Sequence, residues 1–259
     1  MASHEFANVT TEGNLLIVEI NRPERMNAVH SPANKELGEI FDAFAANPDL
    51  WIAIITGAGE RAFCAGNDLR YQAEGGDMFQ VPSGFGGLTN RYDLDKPVIA
   101  AVNGVAMGGG FEIALACDLI IAADTARFAL PEPKVGLAAL AGGLHRLPRQ
   151  IGLKRAMGMI LTGRHVMAEE GKELGFVNEV VPQAELMDTA RRWAGLIADC
   201  SPMSIRASKQ VVMGGLDIAN FEEAFSTRFP AIGELFKSAD FVEGPRAFAE
   251  KRKPNWTGR

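Results

Sequence analysis

Two glutamates, Glu112 and Glu132, are the side chains of this 259-residue sequence best suited to moving protons. Glu112 closes the run Gly108-Gly109-Gly110-Phe111-Glu112, where residues without bulk let a backbone approach a ligand closely. Glu132 stands between prolines in Leu130-Pro131-Glu132-Pro133, which the sequence predicts to be a turn that cannot be helical. A helix opening at the glycine run would aim free backbone N–H groups at whatever lies before it, which suits a developing oxyanion. The plainer reading is a tight strand-to-helix packing point, with Glu112 as a first-turn acid. Ala65-Gly66-Asn67-Asp68 is a second object of the same kind, with a helix start at Leu69. If the two carboxylates meet in the fold, they form an acid/base pair beside an oxyanion site.

Other chemistries find little support. Gly57-Ala58-Gly59-Glu60-Arg61-Ala62 follows a strand and fits the loose pattern G-x-G-x-x-G/A, but that fingerprint needs a helix to open at once. Phe63-Cys64-Ala65-Gly66-Asn67 follows instead, so a tight turn is the better account. Neither G-x-S-x-G nor G-x-x-x-x-G-K-[ST] occurs, and His4, His30, His145 and His165 show no ligand spacing, so no metal is expected. A net charge of −6 offers no cationic field for nucleic acid or anionic membrane. Cys64, Cys117 and Cys200 form no paired framework, and residues 1–5 have no signal-peptide pattern. No apolar run is long enough to span a membrane. A soluble, cytoplasmic enzyme is expected.

The elements that must position the glutamates alternate between strand and helix. Leu15-Leu16-Ile17-Val18, Trp51-Ile52-Ala53-Ile54-Ile55, Val98-Ile99-Ala100-Ala101-Val102, Leu119-Ile120-Ile121-Ala122 and residues 177–181 read as strands. Ser31-Pro32 reads as an N-cap with a first-turn proline, and Leu37, Ile40, Phe41 and Phe44 form the stripe of a helix that Asn47-Pro48 stops. This alternation predicts α/β architecture with parallel strands. Leu186, Ala190, Trp193 and Ile197 share a helical face, and Ser201-Pro202 breaks the chain before helical segments at 203–212, 221–228 and 241–252. The division falls at residues 1–200, a core with the active site, and 201–259, a helical region that must pack on the core or a partner. Residues 72–90, rich in glycine and without periodicity, are expected to be the mobile part or a lid.

At these residues the chain resembles the enoyl-CoA hydratase/isomerase (crotonase) superfamily. The similarity lies in Ala101-Val102-Asn103-Gly104-Val105-Ala106-Met107-Gly108-Gly109-Gly110-Phe111-Glu112 and in Cys117-Asp118-Leu119-Ile120. It extends to Asn21-Arg22-Pro23, Asn27-Ala28, Phe63-Cys64-Ala65-Gly66-Asn67-Asp68-Leu69, Gly142-Gly143, Arg146-Leu147-Pro148 and Phe248-Ala249-Glu250-Lys251-Arg252-Lys253-Pro254. The resemblance implies a spiral core of ββα units with a helical C-terminal region that forms trimers, two of which make a hexamer. It implies backbone N–H donors at Asn67 and Gly109 for a thioester carbonyl, and catalytic roles for Glu112 and Glu132. Asn67, Asp68, Leu69 and Arg70 would line an acyl-CoA site, with Arg25 and the pair Lys251-Arg252 as contacts for the coenzyme phosphates.

The activity so implied is reversible hydration of a 2-trans-enoyl-CoA to 3-hydroxyacyl-CoA, with coenzyme A as part of the substrate and no other cofactor. The alternative within the family is the branch that dehydrates carnitinyl-CoA, which Gly84-Phe85-Gly86-Gly87-Leu88-Thr89 and the C-terminal residues resemble. Leu140 stands where that branch carries an aspartate, and an apolar side chain there suits a greasy acyl group better than a quaternary ammonium. An alternative of another class is a CoA- or RNA-binding protein of this fold with little catalysis, against which the acidic balance and the two glutamates argue.

Overall fold

Gly13, at φ +60°, turns the chain between two runs of strand-forming residues, so β1 (Ala7–Glu12) and β2 (Leu15–Ile20) pair antiparallel. The computed structural model describes residues 4–77 and 81–259. There follow α1 (Ser31–Ala46), β3 (Ile52–Gly57), β4 (Ala62–Cys64), α2 (Leu69–Ala73), β5 (Val98–Val102), β6 (Val105–Met107) and α3 (Gly109–Ala116). Next are β7 (Leu119–Ala123), β8 (Arg127–Ala129), α4 (Gly143–Ile151), α5 (Leu153–Thr162), β9 (Val166–Met167), α6 (Ala168–Leu174) and β10 (Glu179–Val181). The chain ends in α7 (Leu186–Ala198), α8 (Pro202–Gly215), α9 (Phe221–Ser226), α10 (Pro230–Lys237) and α11 (Ala239–Ala249).

A six-stranded sheet runs in the order β1-β2-β3-β5-β7-β10, parallel except at β1. A smaller sheet, β4-β6-β8-β9, is parallel except at β9. Each turn of the chain lays a strand in the large sheet, a short strand in the small one, and then a helix. The units β3-β4-α2, β5-β6-α3 and β7-β8-α4 are thus turns of one ββα spiral. Strand alternation sends Ile52, Ile54, Ile99 and Ile121 toward Leu186, Ala190 and Ala194 of α7. The alternate residues Ala53, Ile55, Ala100, Val102 and Ala122 join Phe41, Phe44, Phe63 and Phe111 in the main core. Each of these larger side chains contributes about 1.5–3 kcal/mol by leaving water.

Several local expectations are corrected. The N-cap of α1 is His30, not Ser31: its Nδ1 accepts the Ala33 N–H at 3.4 Å, held in place by the rings of Phe6 and Tyr71. Glu132 opens a 3-10 turn, Glu132–Val135, so its segment is helical after all. Pro133 is tolerated there because its missing N–H falls in the first turn, where no intrahelical acceptor is lost. The run after β3 is a turn into β4. The buried Asn27 side chain donates to Ala58 and Ala62 carbonyls, and Asn103 Nδ2 donates to those of Gly57, Gly59 and Ala62.

The C-terminal helices pack back through ion pairs, Lys209 with Asp118 and Arg206 with Asp95. Asp240, buried, accepts from the Ser201 hydroxyl and from the Thr257 and Gly258 amides, which clamps the tail. Among the described residues no helix is long and apolar enough to cross a membrane.

Candidate active site

The two N–H-rich turns meet at the N-terminus of α3. Gly66 has φ +94°, and a Cβ there would stand 3.1 Å from the Gly109 nitrogen and 2.7 Å from the Met107 carbonyl oxygen. Only glycine lets these segments touch. An isolated parallel bridge between Val29 and Asn67 fixes the first turn through bonds that use the Gly66 carbonyl and the Asp68 amide. That register turns the Asn67 amide away from Val29. Gly109 begins α3, so its amide has no intrahelical acceptor. Among the described residues neither the Asn67 nor the Gly109 N–H donates to a protein acceptor. The Phe85 ring covers the other side of Gly109, 2.5 Å from where a Cβ would lie. Two unspent donors at a helix N-terminus make a site for an oxygen that gains negative charge.

Glu112 lies in the first turn of α3, 3 % exposed, with its own amide bonded to the Gly108 carbonyl at 2.9 Å. Its Oε1 accepts the Gly143 N–H at 2.8 Å. Gly143 is the first residue of α4, so Glu112 sits on the positive end of that helix. Burial pushes its carboxyl up to about 7; the Gly143 amide opposes this, the Glu132 charge adds to it, and the Ala141 amide and Arg146 oppose it.

Glu132 reaches the same place from the turn after β8. A Cβ on Gly108, which has φ +53°, would stand 2.8 Å from Glu132 Oε1. The other oxygen, Oε2, is buried with no hydrogen-bond partner among the described residues. Burial raises this carboxyl as well, its own backbone amide opposing. A buried carboxyl oxygen without a donor favours the neutral form or a water or ligand not made of protein. A charge on Glu132 also resists ionisation of Glu112.

The remaining predicted residues are spread around this centre. Asp68 is buried; burial works to raise its carboxyl, but the Tyr71 amide and Arg22 at 3.0 Å hold it below the ordinary range. Its oxygens thus serve the start of α2 and the Arg22 ion pair. Leu69 and Arg70 are exposed on the first turn of α2. Arg25 is half-buried and adds to the positive field on Asp68. Arg252 pairs with Glu243 and Glu250 beside the end of α11. Leu137 and Leu140 are 47 % and 82 % exposed on the segment between the Glu132 turn and α4.

The stretch expected to be mobile is in part tightly held. The Gly86 amide donates to Asn34 at 2.6 Å and the Phe85 amide to Thr89 Oγ1 at 2.7 Å, while Gly86 and Gly87 sit against Ile113 and α1 with no room for a Cβ. Residues 78–80 of that stretch lie outside the described residues. One side chain that the pattern of carboxylates does not reveal is Arg146, half-buried, which bonds the carbonyl of Thr89 at 2.8 Å. Its position in Gly142-Gly143-Leu144-His145-Arg146 was visible, but not its contact across 57 residues.

With this geometry in hand, comparison with known proteins is direct. The family described as enoyl-CoA hydratase/isomerase matches residues 10–259. A carnitinyl-CoA dehydratase of Escherichia coli K12 is 46% identical over 263 residues, covering 98% of this chain and 99% of its own. The structure of an enoyl-CoA hydratase from Mycobacterium tuberculosis superposes with a TM-score of 0.92 at 38% identity, over 98% of this chain and 99% of the other. A carnitinyl-CoA hydratase from Mycobacterium avium gives 0.79 at 39%, over 99% and 100%.

Proposed function

From its membership of the enoyl-CoA hydratase/isomerase family, to which this chain belongs, we propose that it adds water reversibly to a 2-trans-enoyl-CoA thioester, giving 3-hydroxyacyl-CoA. The observation that carries this reading is the partnerless buried Oε2 of Glu132, set opposite an amide-held Glu112 beside two unspent N–H donors. The thioester oxygen accepts from Asn67 and Gly109, each donor worth roughly 3 kcal/mol as charge develops. Glu112, whose carboxylate accepts the Gly143 amide and is favoured as the anion by Arg146 against its burial, takes a proton from water as the water oxygen bonds to the β-carbon. Glu132, neutral because no donor compensates its buried oxygen, passes its proton to the α-carbon. The two glutamates end with protonation states exchanged, and water restores them.

The reaction calls for no metal or redox cofactor, since coenzyme A arrives with the substrate. Asn67, Asp68, Leu69, Arg70 and Arg25 border the acyl-CoA entrance in this reading. Self-association into trimers, or dimers of trimers, is supported by the exposed apolar side chains Val212, Leu216, Phe221, Phe225 and Phe248 of the C-terminal region.

A second reading, dehydration of carnitinyl-CoA, is favoured by the 46% identity to an enzyme of that name. It uses the same pair in reverse. Assaying crotonyl-CoA, a long-chain enoyl-CoA and crotonobetainyl-CoA side by side decides between them. Preference for either of the first two supports the general hydratase, and preference for the third supports the carnitine substrate. No turnover on any of the three removes both readings.

A further inference from the structure

Arg146 is a half-buried cation whose hydrogen bonds go to backbone carbonyls. Nη2 donates to the Thr89 carbonyl at 2.8 Å, and Nη1 lies 3.5 Å from that of Ala141, at the outer limit of a hydrogen bond. Among the described residues no carboxylate forms an ion pair with it. Its room is made by Gly142, which has φ +104° and whose missing Cβ would collide with the guanidinium. Burying a cation in this way is costly unless the charge is used. A neutral amide would serve as a clasp alone.

The contacts of Arg146 close a ring around the reacting centre. Thr89 Oγ1 accepts the amide of Phe85, and the Phe85 ring backs Gly109. On the other side Arg146 faces the Ala141 carbonyl, in the turn whose Gly143 amide is given to Glu112. We propose that Arg146 is a positioning residue for the reaction: it ties the segment behind the oxyanion donor to the turn that holds Glu112, where its charge acts on that carboxylate.

The titratable groups facing Glu112 are Glu132, which opposes its ionisation, and Arg146, which favours it. Those facing Arg146 are Tyr92, Cys117 and Glu112, and Cys117 in turn faces Asp118 and Lys209. Removing the guanidinium charge therefore moves the Glu112 titration upward.

The inference deepens the hydratase reading and rests on it for its meaning, but its test does not need turnover. In protein labelled with 13C-glutamate, the Glu112 carboxyl resonance, assigned by its loss in Glu112→Gln, is titrated in the wild type, Arg146→Gln and Arg146→Lys. Arg146→Gln should raise the midpoint by about half a unit or more, and Arg146→Lys should leave it near the wild-type value with a lower kcat. The acid limb of kcat/KM should move with the resonance. A folded Arg146→Gln with an unchanged Glu112 midpoint overturns the proposal. Should that variant lack a cooperative thermal transition, Arg146→Lys decides. A midpoint moved by half a unit, or unchanged kcat, overturns the proposal; an unchanged midpoint with reduced kcat supports it. A wild type silent on every enoyl thioester, with Glu112 still shifting in Arg146→Gln, sinks the hydratase reading and leaves the placement of Arg146 standing.

Discussion

Replacing Gly66 by alanine tests the oxyanion geometry without touching either glutamate. The new Cβ would lie 2.7 Å from the Met107 carbonyl oxygen and 3.1 Å from the Gly109 nitrogen, so the two turns must separate. The residue would also keep a φ of +94°, which costs an L-residue roughly 1–2 kcal/mol. A stiffer unfolded chain returns about 0.4–1 kcal/mol. The 2.7 Å contact is with backbone, which cannot swing aside as a side chain would, so the clash adds to this strain and lowers Tm further. Displacing one oxyanion donor costs about 2.7–4 kcal/mol in the transition state, or roughly 10²–10³ in kcat. Gly13→Ala is the control: φ there is +60°, but nothing lies within 4 Å of the added carbon. Gly13→Ala, with the φ strain but no clash, should lose less stability than Gly66→Ala, and among folded protein only Gly66→Ala should lose turnover on the best enoyl thioester. Equal kcat in the two would refute the claim that the Gly66 and Gly109 turns form the oxyanion site.

Three other perturbations follow from the same geometry. Glu112 has a folded carboxyl raised from 4.5 to about 7, so its stabilising contribution is complete below pH 4.5 and is lost as pH rises through 7, about 3 kcal/mol in all. Glu112→Gln should thus raise Tm by several degrees at pH 8 and by little at pH 4.5; a difference independent of pH contradicts this. Gly108→Ala puts a carbon 2.8 Å from Glu132 Oε1 and should lower kcat while leaving KM near the wild-type value, as steady-state kinetics would show. Asp240→Ala strips a buried acceptor from Ser201, Thr257 and Gly258 and should cost about 2–4 kcal/mol, with the last residues opened to carboxypeptidase. A tail still protected would show that other contacts hold it.

The parts of this fold legible in the sequence are those with a strong local signal. The strands β3, β5 and β7 stood out as apolar runs, because both faces of a parallel strand are buried. Glu112 and the Gly108–Gly110 run could be singled out because a helix N-terminus with glycines has few uses. The short strands β4, β6 and β8 are three residues each, too short for any periodicity to show, although they carry the second sheet. α10, eight residues opened by Pro230 in its first turn, is not among the helical segments read from the sequence. His30 as a cap depends on Phe6 and Tyr71, which are distant in sequence. The contacts that tune the site are longer still: Gly143 to Glu112 spans 31 residues and Arg146 to Thr89 spans 57. No local pattern encodes them, and only the closed spiral brings them together.

Turnover by Glu132→Gln bears most directly on the central claim that two glutamates share the work of hydration. The amide keeps the shape of the side chain and removes its proton, so an unchanged Tm would confirm that the fold survives. Steady-state loss of the enoyl-thioester absorbance should then fall by roughly 10²–10⁴ in kcat, the usual worth of a positioned general acid. A variant that is folded and turns over at a near-normal rate would contradict the account and remove Glu132 from the mechanism.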